Sequence, residues 1–349
     1  MVGGGRVSQI NSSVVSSSTH GVSDAFLDSL EKLAHQDQSW WRDVLLRDDV
    51  MLAVRHKSLN VYHRGGSIFR IKDWGNRAVP PKTHVKYLVR QQQVYAELVD
   101  GEFKPGPNAF SWSRYEGPTT LDDMIRSAAA LAGPEKTGLH ALVIGSPKKV
   151  IDVEVSLERA DDAEPSEGPV GQDEPASKTK PVHGQDRLDV ATLERRKDGI
   201  YVVFHEAKHF SNSGLRSKSG TPAVVKQIRR YRNTIKLHAP DLAQRYQAVC
   251  RALVRLDAMR RAVRNVARSG LDPFILEVAN GVVDLQVDSN PRLIVFGFDG
   301  DQKKGLLNSY LDKLCKAEPK LHIYPVGDPA SARGAFLQNR GFRRARDSK

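Results

Sequence analysis

Cysteine is scarce in this chain. Only Cys250 and Cys315 occur in 349 residues, each within an apolar pattern. Two thiols so placed read as reduced and buried, which excludes a disulfide-stapled secreted scaffold. No Cys/His set has zinc-ligand spacing, so a zinc site is not expected. No run of about 18 apolar residues occurs, which excludes a membrane-spanning helix. The first residues lack the charged-then-apolar pattern of a signal peptide, so the expectation is a cytoplasmic protein without a membrane partner. Negative charge is also short: 41 Asp and Glu stand against 53 Lys and Arg, a formal net charge of +12. Such an excess suits a polyanionic partner, nucleic acid first. Simple solubility would leave the same mark.

What is present divides the chain unevenly. Residues 1–22 are rich in Gly and Ser and read as a loose tail. Residues 23–138 read as an N-terminal α+β region without a chemical motif. Ser23 and Asp24 can cap a helix through Phe26, Leu27, Leu30 and Leu33, and a second helical pattern covers 40–54. Short strands are expected at 59–63 and 68–71 around Arg64, Gly65 and Gly66, and again at 84–89 and 94–98. A helix over 121–132 should stop at Gly133 and Pro134. The basic and aromatic residues Tyr62, His63, Arg64, Phe69, Arg70 and Trp74 read as scattered, solvated surface.

From 139 to 330 the pattern reads as a second α/β domain. Strands are expected at 139–144 and 150–157. The stretch 159–186 has almost no aliphatic residues and reads as a disordered insertion between strands. Strands at 187–194 and 200–208 follow, joined through Asp198 and Gly199, a hairpin signal. Thr221 and Pro222 should start a helix running to about His238, and Asp241 should open another, reaching about Arg264. A buried strand at 291–298, a helix near 303–316 and a strand at 321–325 complete the pattern. Residues 331–349 form a basic tail.

The most informative stretch is YVVFHEAKHF, residues 201–210. Its apolar half reads as a strand covered on both faces. Its end then presents Glu206 and Lys208 on one face. With Asp198 and Gly199 as a two-residue turn, Asp189 falls directly opposite Lys208 and diagonal to Glu206, on the same face. Two carboxylates on a rigid platform can share a hard divalent cation, which keeps water and substrate phosphate as its other ligands. The carbonyl of Ala207 could add a ligand. Lys208 could orient the activated water or stabilise developing phosphoryl charge. The bland reading is a structural Asp189–Lys208 salt bridge. A second E-x-K triplet, Glu318 to Lys320, lacks a carboxylate strand partner and reads as solvated.

The helix after this strand carries Gln227 and Tyr231 four residues apart, projecting together beside an apolar stripe of Val224, Ile228, Tyr231 and Ile235. Lys226, Arg229, Arg230, Arg232 and Lys236 crowd its remaining surface and suit phosphate contacts.

Taken together, Asp189, the Glu206-Ala207-Lys208 triplet and Gln227-x-x-x-Tyr231 resemble the PD-(D/E)xK nuclease superfamily, and the helix motif its RecB-like branch. The resemblance covers about 150–240 and extends toward the 292–326 strands. It implies an αβββαβ core with a mixed central sheet and Mg²⁺- or Mn²⁺-dependent phosphodiester hydrolysis. It implies Asp189 and Glu206 as metal-binding acids, Lys208 as the catalytic lysine, and Gln227 and Tyr231 as helix residues near the DNA or the lysine. An upstream acid is often added in that superfamily. Glu154 is the candidate, with Asp152 on the same strand face and Glu158 just beyond. The proline before the first acid is absent here, and His183 is a poor substitute.

The expected function is therefore a metal-dependent nuclease, with DNA ahead of RNA as substrate, serving phage defence, restriction or repair. A homo-oligomer or a defence-system partner is compatible with it. The alternatives are a nucleic-acid-binding or scaffold protein that keeps the fold without chemistry, and an interaction protein whose triplet is accidental.

Overall fold

Serine side chains open the first two helices. Ser23 Oγ accepts the Phe26 amide at the start of α1 (Asp24–Ala34), and Ser39 caps α2 (Trp40–Leu46). The helical pattern expected to run to Val54 ends early. Met51 to Val54 are apolar without helical spacing. They pair antiparallel with the next segment, giving β1 (Met51–Arg55) beside β2 (Ser58–His63). Strand β3 (Gly66–Lys72) completes this three-stranded sheet. Its β2–β3 turn is Arg64–Gly65, both at positive φ (46° and 74°). Such a pair matches the twist of a hairpin.

The computed structural model describes residues 21–74, 80–91, 97–104, 111–159, 184–217, 220–332 and 336. Most of both expected tails, part of the expected 94–98 strand, residues 160–183 and His183 lie outside them. Within 84–89, where a strand was expected, Val85–Tyr87 forms one 3-10 turn capped by His84. Two short strands, β4 (Glu97–Val99) and β5 (Glu102–Lys104), pair with each other. Helix α3 (Pro118–Ala130) follows.

Helix α4 (Pro134–Ile144) replaces the strand expected at 139–144. Pro134 does not only end what precedes it. It occupies the first turn of the next helix, where its missing N–H costs nothing. A short apolar run does not distinguish a strand from a buried helix face. Here α4 straddles the expected 138/139 boundary and packs on the large sheet. Gly138 makes that approach possible, because a Cβ there would lie 2.3 Å from the Phe296 ring.

The large sheet is mixed. Strands β6 (Val150–Glu158), β7 (Gln185–Arg196) and β8 (Gly199–His209) form an antiparallel meander. The long helix α5 (Ala223–Arg264) crosses over from β8. Then come α6 (Pro273–Ala279), the short β9 (Leu285–Val287) beside β8, and β10 (Arg292–Phe296) parallel to β8. Helices α7 (Gly300–Lys304) and α8 (Leu306–Ala317) lead to β11 (Ile323–Gly327), parallel to β10. The strand order is β11-β10-β8-β7-β6, with β9 off this path on β8. The chain is thus mixed α+β, and among the described residues no helix is long and apolar enough to cross a membrane.

Two features of this half depart from expectation. First, α5 is one helix of 42 residues that passes through Pro240 rather than stopping near His238. Proline usually breaks a helix interior. Here apolar residues on both sides of it are buried alike, from Val224 to Ile235 and from Leu242 to Met259. The helix also begins after Pro222, without the Thr221 side-chain cap. Second, the ends of the expected insertion are firmly held. Asp186 is buried, with Arg159 and Arg230 on one carboxylate oxygen and Thr234 on the other.

Among the described residues the buried apolar side chains form three clusters. One face of the sheet buries Val202, Phe204 and Leu188 against Tyr231, Ile235 and Tyr246 of α5, joined to Phe26, Trp41 and Leu59 of the N-terminal elements. The other face buries Val190, Ala207, Ile294 and Phe296 against Leu139, Leu142 and Val143 of α4. Burying side chains of this size contributes about 1.5–3 kcal/mol each. The candidate residues are therefore mounted on strands and a helix packed on both faces of the sheet.

Candidate active site

The β7–β8 turn is Lys197–Asp198, with Arg196 paired to Gly199, one residue earlier than expected. Neither Lys197 nor Asp198 has positive φ, and Gly199 does (153°). The glycine thus takes the unusual backbone after the turn rather than inside it. Every partner moves by two residues, so faces are preserved. The ladder's last pair is Val190 with His205, so the expected pairing of Asp189 with Lys208 is not formed.

On the other side of β7, the pairs Val153–Val190 and Val155–Leu188 flank the Glu154–Asp189 position. Glu154 on β6 and Glu206 on β8 both lie near enough to Asp189 on β7 to act on its charge, so three neighbouring strands bring three acids together. Glu154 holds a positive φ of 52°, an irregularity that breaks the strand at this point. The regular β7–β8 ladder stops here too, and the Asp189 carboxylate takes over a backbone donor: Ala207 N–H donates to Oδ2 at 2.7 Å. A strand residue turns its N–H and C=O to the same edge. The Ala207 carbonyl is thus directed to the Asp189 side.

Glu206 is 2% exposed. Its Oε1 accepts Lys208 Nζ at 2.6 Å and Gln227 Nε2 at 2.9 Å. Its Oε2 is buried with no hydrogen-bond partner among the described residues. Gln227 also donates to the Tyr231 hydroxyl at 2.6 Å, and that hydroxyl donates to the Arg187 carbonyl. The structure thus brings Asp189, Glu206, Lys208, Gln227 and Tyr231 together, and ties the α5 motif to both strands of the hairpin.

An acid that sequence reasoning missed completes the group. Glu135, in the first turn of α4, lies 3.4 Å from Lys208 Nζ and accepts Asn212 Nδ2 at 2.7 Å. Reading 139–144 as a strand hid it. The available signal was Gly133-Pro134-Glu135, a helix start with an acid in its first turn. Asp152, by contrast, is structural. It is buried, pairs with Arg55 and accepts the Tyr246 hydroxyl at 3.0 Å. Glu158 is at the exposed end of β6, where its carbonyl meets His238.

Electrostatics follow from this crowding. Burial raises the Asp189 carboxyl well above the usual range, and Glu206 and Glu154 push the same way. Burial raises Glu206, partly offset by Lys208. Burial works to depress Lys208, but Glu206, Asp189 and Glu135 outweigh it and hold the ammonium charged. Among the described residues no three His, Cys, Asp or Glu side chains converge closely enough to hold a metal ion as they stand. A Mg²⁺-like cation, however, takes one or two carboxylates plus water and substrate phosphate. Asp189 and Glu206 are the two acids that could hold one. The orphaned Glu206 Oε2 and the mutual repulsion of the two acids are what a cation would relieve.

The expected phosphate contacts on α5 are mostly spent elsewhere. Arg229 and Arg232 pair with Glu318, and Arg230 pairs with Asp186. Of the triplet expected to be solvated, Lys320 is exposed but Glu318 is 7% exposed and clamps α5 to the end of α8. Lys226 and Lys236 are exposed. Comparison with known protein families, curated proteins and solved structures found no match.

Proposed function

We propose that this protein is a metal-dependent phosphodiesterase acting on nucleic acid, DNA first, with a restriction-endonuclease-like core. The order α4, β6, β7, β8, α5, β10 supports that core, since it follows the αβββαβ pattern the resemblance implies. The observation that carries the reading is a pair of neighbouring acids, half-buried Asp189 and buried Glu206. Among the described residues Glu206 Oε2 has no hydrogen-bond partner, and the Lys208 ammonium lies 2.6 Å from Oε1. A divalent cation on Asp189 and Glu206, with Glu154 and the Ala207 carbonyl at hand, would supply Lewis acidity at the phosphoryl oxygen and a water acidified for attack.

The chain's own groups divide the remaining work. Lys208 is kept charged by three carboxylates, so it acts as an electrostatic donor to the phosphoryl oxygen rather than as a base. Gln227 restrains Glu206, and Tyr231 restrains Gln227. Glu135 steadies Lys208 from α4. In hydrolysis the water oxygen bonds to phosphorus and the ester P–O bond breaks. Its electron pair leaves with the sugar oxygen, which gains a proton.

The direct Lys208–Glu206 bond also favours a second reading, an ion-paired platform in a nucleic-acid-binding protein without chemistry. Purified protein with plasmid, linear DNA and RNA in Mg²⁺ or Mn²⁺ separates the two. The nuclease reading expects metal-dependent cleavage that falls at least about 10²-fold in Lys208→Ala and Asp189→Asn. Binding without cleavage of any substrate would replace it with the second reading.

A further inference from the structure

The N-terminal sheet reaches the candidate site through Arg55, which donates to the Glu154 carbonyl at 3.3 Å, and through the Arg64–Gly65 turn. Gly65 sits so close that an added Cβ would lie 2.8 Å from both Glu154 Oε1 and Lys136 Cδ. Its positive φ of 74° favours glycine there, and the lack of a Cβ leaves room for the ends of both side chains. Lys136 Nζ lies 4.0 Å from Glu154 Oε1. Arg64, Lys136, His140, Tyr62, Glu154 and Asp189 line one narrow cleft. A turn expected to be scattered surface is thus a wall of the same cleft as two of the three acids.

The turn is also held. The Arg64 amide donates to His140 Nδ1 at 3.3 Å, so the His140 proton sits on Nε2. The His140 ring packs 4.5 Å from His63, which meets the Asp49 carbonyl at 2.8 Å. The Arg64 side chain carries a buried Nε with no hydrogen-bond partner among the described residues. A half-exposed Lys–Glu contact at 4.0 Å contributes little to stability. It does not explain why a second cation is brought beside it with a donor unused. A polyanion crossing the three acids needs positive charge on both sides. Lys208 supplies it at the β8 end, and Arg64 and Lys136 stand at the β6 end.

We propose that Arg64 and Lys136 form a phosphodiester-binding subsite beside the three carboxylates, which takes a backbone phosphate flanking the one attacked. This rests on the nuclease reading. The N-terminal region would then position substrate through one hairpin turn.

The test uses the full chain, a fluorescent DNA duplex and a salt titration in EDTA, with cleavage kinetics in Mg²⁺. Arg64→Gln and Lys136→Gln should each weaken binding about 3- to 10-fold and lower the salt slope by about 1. KM should rise while kcat stays within about threefold. Arg64→Lys, which keeps the charge, should restore the slope and separates lost charge from misfolding. Unchanged affinity and slope in both Gln variants, with a wild type that binds and cuts, would overturn the subsite alone. A wild type that neither binds nor cuts DNA or RNA would overturn the nuclease reading with it.

Discussion

Replacing Lys208 by Met should cost stability in a way that depends on pH and on Glu206. Lys208 is 13% exposed at its side chain and Glu206 is 2% exposed, so the pair is buried. Removing one partner of such a pair leaves the other charge uncompensated, at a cost of about 3–5 kcal/mol. Gln227 still donates to Glu206 Oε1 and holds the cost toward the lower end. At about 2–4 °C per kcal/mol for a chain of this order of size, the melting temperature should fall by about 6–12 °C. Burial already raises Glu206 in the fold, and losing Lys208 raises it further. A raised carboxyl binds its proton more tightly when folded, so stability falls as pH rises from the usual range through the folded value. The deficit should therefore be largest at pH 8 and shrink toward pH 5. Melts in EDTA across that range, with Glu206→Gln and the double variant, complete a mutant cycle. The double variant should recover most of the loss. A deficit below about 0.5 kcal/mol at pH 8, or a double variant as poor as the sum of the singles, would refute the buried-pair account.

Two further outcomes follow from the same geometry. Glu135→Gln removes a carboxylate that steadies Lys208 without being a presumptive metal ligand, and should lower kcat about 10- to 100-fold with substrate affinity unchanged. A kcat within twofold of wild type would remove Glu135 from the site. Tyr231→Phe strips the Arg187 carbonyl and Gln227 of their partner and should cost about 1–3 kcal/mol in denaturant unfolding. A loss under about 0.3 kcal/mol would show that the hydroxyl does not join α5 to β7.

The grouping of the candidate residues was more legible than the fold around it. Asp189, Glu206 and Lys208 were readable because a strand has a side-chain period of two, and a two-residue register error leaves faces intact. Gln227 and Tyr231 were readable because helical spacing fixes their shared side. The register of the β7–β8 ladder was not readable, since it depended on whether Gly199 stood inside the turn or after it. Glu135 was lost with its helix, because an apolar six-residue run does not declare its period. The roles of Arg229, Arg230 and Arg232 depended on acids distant in sequence, Glu318 and Asp186, which no local pattern links to α5. Pro240 misled for a related reason: burial along both halves of α5 outweighed a local breaker.

A crystal grown with the intact chain and soaked in millimolar Mn²⁺ puts the central claim to its most direct test. The account predicts an anomalous peak bound by the carboxylates of Asp189 and Glu206, lost in crystals of Asp189→Asn. Well-ordered density showing Lys208 still on Glu206, with no peak beside Asp189 at that concentration, would contradict it.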